Sequence, residues 1–219
     1  MKLAVVIIVT CGALVWPAAA DLITTQHFGT LAEVQAYVVD GFDFVARGDT
    51  AELRITRADP PAQAATPFNL WNNGIPHGFK VVYNAGGIAG ISIDDLYVVQ
   101  MPVTIDPATN GLLVTAFTEG SGRTVRLDNL RLTLPGFVMY DVPDVALAPP
   151  TDYLLIETSL PLTDGFILSG TVTFSWSGSL PPAAEEWFEV APVVVPEPTS
   201  MLALVGGVLL MVRRRVAGC

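Results

Sequence analysis

The sequence predicts an all-β protein, an antiparallel β-sandwich of jelly-roll-like character, on three observations. Stretches such as Glu52-Leu53-Arg54-Ile55-Thr56-Arg57 alternate polar and apolar side chains, the period of a strand with one wet face. Turn chemistry separates such stretches at close to the rhythm of sandwiches. No long amphipathic helical pattern interrupts them, and no repeat of solenoid period is present.

The body is expected over residues 21–192 as one domain. Leu31-Ala32-Glu33-Val34-Gln35-Ala36-Tyr37-Val38-Val39 reads equally as a helical turn leading into a strand, and is left open. The strand at 52–57 ends at Asp59-Pro60-Pro61. Residues 60–78 carry four prolines and Trp71-Asn72-Asn73-Gly74, which predicts a long loop rather than a hinge between domains.

Strands are then expected at Phe79-Lys80-Val81-Val82-Tyr83, around Ile91-Ser92-Ile93 after a glycine-rich turn, and at Leu96-Tyr97-Val98-Val99-Gln100-Met101. Asp106-Pro107-Ala108-Thr109-Asn110-Gly111 reads as a turn by both its proline and its Asn-Gly, with a strand from Leu112 to Thr118 after it. Glu119-Gly120-Ser121-Gly122 reverses the chain. From Arg123 to Leu134 the alternation is regular except for one slip at Asp128-Asn129, which predicts a bulge or a tight turn. Further strands are predicted at Phe137-Val138-Met139-Tyr140, Tyr153 to Thr158, Phe166 to Trp176, and Trp187 to Val190, the last ending at Ala191-Pro192.

Composition narrows the function classes. The chain has 21 acidic and 11 basic residues; with Lys2, Glu197 and Arg213 to Arg215 assigned to the terminal segments, the body keeps 20 acids against 7 bases. An acidic surface of this kind repels nucleic acid and anionic lipid headgroups and keeps an exported protein soluble. Cys11 and Cys219 are the two cysteines, and both fall in the terminal segments. The mature body is therefore expected to have no disulfide, no thiolate nucleophile and no cysteine metal ligand.

The two ends read as addresses. Met1-Lys2, the apolar run Leu3 to Trp16 and the small residues Pro17-Ala18-Ala19-Ala20 make residues 1–20 a cleavable secretory signal peptide, with cleavage between Ala20 and Asp21. This implies a secretion translocon and a signal peptidase as early partners. At the other end, residues 193–219 hold Pro196-Glu197-Pro198, an uncharged apolar stretch over 199–212, and Arg213-Arg214-Arg215. As a helix, 199–212 spans roughly 21 Å, short of a hydrocarbon core about 30 Å thick but workable with snorkelling of Arg213 and local thinning. The three arginines put that end in the cytoplasm and the body outside. Pro196 and Pro198 fix two φ angles and remove two N–H donors, so the motif is extended, the form in which processing enzymes bind a chain.

In this order, spacing and terminal position the tail resembles the PEP-CTERM sorting signals of bacteria. The resemblance covers about residues 194–219 and rests on Pro196, Glu197 and Pro198 as the recognition motif and Arg213, Arg214 and Arg215 as the stop. It implies processing near the motif by an exosortase, a membrane-embedded cysteine transpeptidase. It also implies transient anchoring in the inner membrane and later display at the cell surface or secretion, with exopolysaccharide as a matrix partner. Val216-Ala217-Gly218-Cys219 beyond the arginines is a slight departure. An ordinary single-pass anchor is the alternative reading of the same residues.

Chemistry is harder to find in the body. His27 and His77 stand fifty residues apart and offer no zinc-ligand spacing. Ser92, in Gly90-Ile91-Ser92-Ile93-Asp94, lacks the second glycine of a nucleophile elbow. Gly86-Gly87-Ile88-Ala89-Gly90 lacks dinucleotide spacing and a following helix.

The carboxylates Asp40 with Asp43, Asp94 with Asp95, Asp141 with Asp144, and Glu185-Glu186 with Glu189 suit calcium in ligand type but match no calcium-loop spacing, so no cofactor is assigned. Trp71 in its proline-rich loop is the best candidate for an exposed sugar platform, ahead of Trp176 and Trp187. The leading expectation is a non-enzymatic exported surface or matrix protein. A secreted carbohydrate-binding module is the alternative, and a secreted hydrolase using two carboxylates comes third.

Overall fold

The computed structural model describes residues 23–35, 37–39, 41–48, 52–58, 60–67, 71–119, 122–136, 138–142, 145–147, 151–178 and 186–196. Along them run β1 (Ile23–Phe28), α1 (Leu31–Val34), β2 (Val38–Val39), β3 (Phe42–Arg47), β4 (Glu52–Arg57), β5 (Ala62–Pro67), β6 (Pro76–Asn84), β7 (Ile88–Ile93) and β8 (Tyr97–Pro102). They continue as β9 (Gly111–Thr118), β10 (Arg123–Leu134), β11 (Val138–Asp141), β12 (Val145–Leu147), β13 (Thr151–Thr158), a 3-10 turn at Leu162–Asp164, β14 (Gly165–Trp176) and β15 (Glu186–Val194). The signal peptide and its cleavage site at Ala20 and Asp21 lie outside the described residues. So do Glu197 and Pro198, the apolar stretch 199–212, and Arg213, Arg214 and Arg215.

The strands form two antiparallel sheets. Sheet A has the order β1-β13-β9-β15-β3-β4-β5, with β2 pairing the far part of β15; sheet B has the order β11-β10-β14-β6-β7-β8, with β12 also on β10. The all-β expectation is met, with two sheets over one core. Alternate residues of both sheets point into it: Phe44, Leu53, Ile55, Val114, Ile156 and Phe188 from sheet A, Val81, Ile91, Leu127, Leu168 and Phe174 from sheet B. Rings meet across the gap, Phe79 against Phe188 at 5.0 Å and Phe42 against Tyr83 at 6.2 Å. At roughly 25 cal/mol per Å² of apolar surface this burial is the main stabilising term, and it is why the period-two pattern was visible in the sequence.

The slip at Asp128-Asn129 is a bulge. The register of β10 against β14 shifts between Asp128 and Arg131, and Asn129 takes a left-handed φ of 53°. Opposite it, Gly170 has no space for a side chain: a Cβ there would stand 2.9 Å from both the Asp128 carbonyl oxygen and the Leu130 Cδ2.

Three expectations are corrected. Residues 60–78 are not one loop: β5 pairs β4 along its length and β6 begins at Pro76. The prolines sit where strands tolerate them, in the turn before β5, at its end and at the start of β6. Asn110-Gly111 is not the turn residue pair either. The turn closes earlier, Thr109 N–H donating to the Asp106 carbonyl at 2.9 Å, and Gly111 opens β9. Finally, β15 does not stop at Ala191-Pro192 but runs on to Val194. Pro192 is accommodated because β3 pairs only Trp187 to Val190 and β2 takes over at Val193, leaving the proline at the handover.

Candidate functional site

The outer face of sheet A is partly covered by the chain itself. After edge strand β1, α1 and the residues following it cross that face to reach β2 on the far side of β9. The crossing begins with a local lock: the Glu33 carboxylate accepts from the Thr30 N–H at 3.0 Å and from the Thr30 hydroxyl at 2.8 Å. Val34 and Tyr37 then pack on Phe28, Leu113, Tyr153, Leu155, Val193 and Val195, a second apolar cluster separate from the inter-sheet core.

This crossing meets the exit of β15, the stretch that leads into Pro196-Glu197-Pro198. On one side β2 pairs it, Val38 with Val194 and Val39 with Val193. On the other side β9 pairs it as far as Gly111 with Val193, and there Asn110 takes over. Asn110 N–H donates to the Val193 carbonyl at 3.2 Å. Its side chain does more: Oδ1 accepts from the Val195 N–H at 2.7 Å and Nδ2 donates to the Val195 carbonyl at 3.2 Å.

The carboxamide thus imitates one further strand residue. Asn110 is itself fixed, its carbonyl accepting from the Thr158 N–H at 2.7 Å. A Cβ on Gly111 would lie 2.8 Å from Val195 Cγ2, so that position has to be glycine for Val195 to close over it. Val195 is buried and Pro196, the first residue of Pro196-Glu197-Pro198, is exposed.

The same outer face holds a charged cluster. Cross-strand register sets Glu189 on β15 opposite Val45 of β3 and Thr115 of β9. Val45 in turn faces Arg54 of β4, Thr115 faces Tyr153 of β13, and Asp43 lies two residues along from Val45 on the same side. Burial first, and the Asp43 carboxylate second, push the Glu189 carboxyl up to about 7 against the pull of Arg54. Burial likewise raises Asp43, while Thr56 and Arg54 draw it back. The Tyr153 phenol is raised by burial and by Glu189.

Trp71, expected to be exposed, is half-buried. Its indole N–H donates to the Arg47 carbonyl at 2.7 Å, and its ring meets Phe174 at 4.5 Å and His77 at 5.2 Å in edge contacts. A sugar platform needs a free ring face, and this ring is packed against the core instead. Trp176 packs there too, and Trp187 stacks on Phe117 at 5.3 Å.

The other carboxylates are dispersed. Asp94 accepts from the Gly78 N–H at 2.8 Å and sits 2.7 Å from His77 Nδ1, and Asp95 pairs with Lys80 at 2.8 Å. Both occupy left-handed φ, 51° and 54°, in the tight turn between β7 and β8, which these side-chain bonds hold in place. Asp141 pairs with Arg131 at 3.1 Å on the outer face of sheet B. Glu186 is fully buried. Asp40, Asp144 and Glu185 lie outside the described residues.

Among the described residues no three His, Cys, Asp or Glu side chains gather as a metal site, and no helix is long and apolar enough to cross a membrane. A groove of about 370 Å³ opens where β6 and β10 end and β14 begins, lined by Tyr83, Asn84, Thr133, Pro135, Phe166 and other residues, with Asp164 as its one carboxylate. It does not present the two facing carboxylates that the hydrolase reading requires.

Sequence reasoning missed Asn110 and the charged cluster. Asn-Gly pointed to a turn, and Asp43, Arg54 and Glu189 come together only through strand pairing. No protein-family model matches the chain, and no curated protein matches it significantly.

Proposed function

We propose that this chain is an exported, non-enzymatic bacterial surface or extracellular-matrix protein, sorted through a PEP-CTERM signal by an exosortase. The observation that carries this reading is the order Pro196-Glu197-Pro198, uncharged stretch 199–212, Arg213-Arg214-Arg215. It is supported by the exposure of Pro196 directly after the last strand, so that the motif starts where the body stops.

In this reading residues 1–20 direct export through the translocon and are removed between Ala20 and Asp21. The stretch 199–212 then holds the chain in the inner membrane with the body outside. The exosortase thiolate attacks a carbonyl near the motif, the tail departs with a new α-amino group, and water or an amine takes the acyl group from the thioester. The body, whose connectivity we read as jelly-roll-like because β9, β10, β13, β14 and β15 alternate between sheets apart from the short strands on β10, is displayed or released. Exopolysaccharide is the matrix partner this reading entails. Neither nucleic acid nor a resident cofactor has a part in it, and calcium is not required.

Replacing Pro196, Glu197 and Pro198 by alanine is expected to leave an unprocessed form in the membrane fraction. Unchanged processing and release in that variant would overturn the proposal. A glycan-binding role is the alternative; Trp71, half-buried with its ring in edge contact with Phe174 and His77, offers it only a partly exposed ring.

A further inference from the structure

We infer that Asn110, β2 and the apolar crossing form a clasp that closes the chain to processing up to and including the Val195–Pro196 bond, so that the sorting enzyme cuts only beyond Pro196. The inference rests on the sorting proposal for the identity of the enzyme, but the clasp itself is a property of the described residues. A processing enzyme binds its substrate as an extended strand, through backbone groups that are free to pair and side chains that can enter its pockets. Neither is on offer here. Val193 and Val194 pair with β2, and Val193 also pairs with Gly111 of β9. Both the N–H and the carbonyl of Val195 are engaged by one carboxamide.

The side chains of Val193 and Val195 are buried in the second apolar cluster. Attack on the Val195 carbonyl would require its bond to Asn110 Nδ2 to break and the strand end to lift out of that cluster. At Pro196 the burial stops: its side chain is exposed. The clasp therefore sets the upstream limit of the cut.

Two measurements on the full chain test this. In the producing organism, the C-terminal peptide of the processed protein is read by mass spectrometry. It is expected to end at Pro196 or beyond, and a product ending at Val195 or upstream overturns the inference. In detergent, the intact chain is digested briefly with an elastase, which cuts after small aliphatic residues unless proline follows. Wild type is expected to resist at the Val193–Val194 and Val194–Val195 bonds, and Asn110→Ala to be cut there about tenfold faster with the rest of the pattern unchanged.

Asn110→Asp, which keeps the acceptor but loses the donor, should fall between the two; unchanged tryptophan emission in both variants guards against wholesale unfolding. Equal cutting of wild type and Asn110→Ala at the Val193–Val194 and Val194–Val195 bonds would refute the clasp. If no processing occurs in the organism at all, the sorting proposal fails, while the elastase result still decides the clasp.

Discussion

The outer faces of the two sheets are built from the same alternating pattern and differ in almost everything else. On sheet B the outward ion pairs stay wet: the side chains of Lys80 with Asp95 and of Arg131 with Asp141 are 42 to 88 % exposed. On sheet A part of the same layer is buried a second time, where Val34 and Tyr37 of the crossing pack on Leu113, Tyr153, Leu155, Val193 and Val195, and elsewhere on that face Glu189 is desolvated beside Asp43 and Arg54. A polar residue at an outward position thus has two meanings. It is a solvated surface group where it meets water, and a costly one where its surroundings desolvate it.

The sharpest way to break this comparison is to truncate one outward aliphatic residue on each sheet. Leu155 of sheet A is 2 % exposed, so Leu155→Ala is expected to lower unfolding stability by about 2 to 4 kcal/mol. Ile167 of sheet B is only half-buried, and Ile167→Ala should cost less than about 1 kcal/mol. Equal losses in denaturant titrations would mean that the crossing segment does not cover sheet A as described.

A smaller effect concerns pH. Glu189 has its folded pKa raised from 4.5 to about 7. In that window the folded state holds a proton that the unfolded state has released, so stability should fall as pH rises from about 4.5 to about 7 and level off above. Partial solvent screening holds the total to on the order of 2 kcal/mol. Glu189→Gln removes the titrating group and should flatten the slope; thermal melts at pH 5, 6, 7 and 8 would show it, and an unaltered slope would assign the effect elsewhere. Smallest of all, Lys80→Ala and Arg131→Ala on sheet B should each change stability by less than about 0.5 kcal/mol, and by still less in high salt.

What could be read from the sequence follows from how local each signal is. The strand from Arg123 to Leu134 and its bulge were legible because alternation and its slip lie within a dozen residues, and the left-handed Asn129 sits at the slip. β5 was not: Ala62-Gln63-Ala64-Ala65-Thr66-Pro67 has no large apolar side chain, and it becomes a strand by pairing β4 at the sheet edge. Asn110 has the composition of a turn and the function of a strand extension, a difference that depends on Val195, 85 residues later. The charged cluster joins β3, β4 and β15, and nothing near Glu189 in the sequence announces Asp43.

The place of β15 in sheet A has a consequence for biogenesis. It lies between β9 and β3, so β1, β13 and β9 on one flank and β3, β4 and β5 on the other share no ladder until residues 186–194 arrive. A nascent polypeptide emerging from its amino end cannot complete this sheet before nearly the whole body has appeared. Long-range pairing of that kind is slow to nucleate, so the two flanks wait as separate ladders and the keystone strand drops in last.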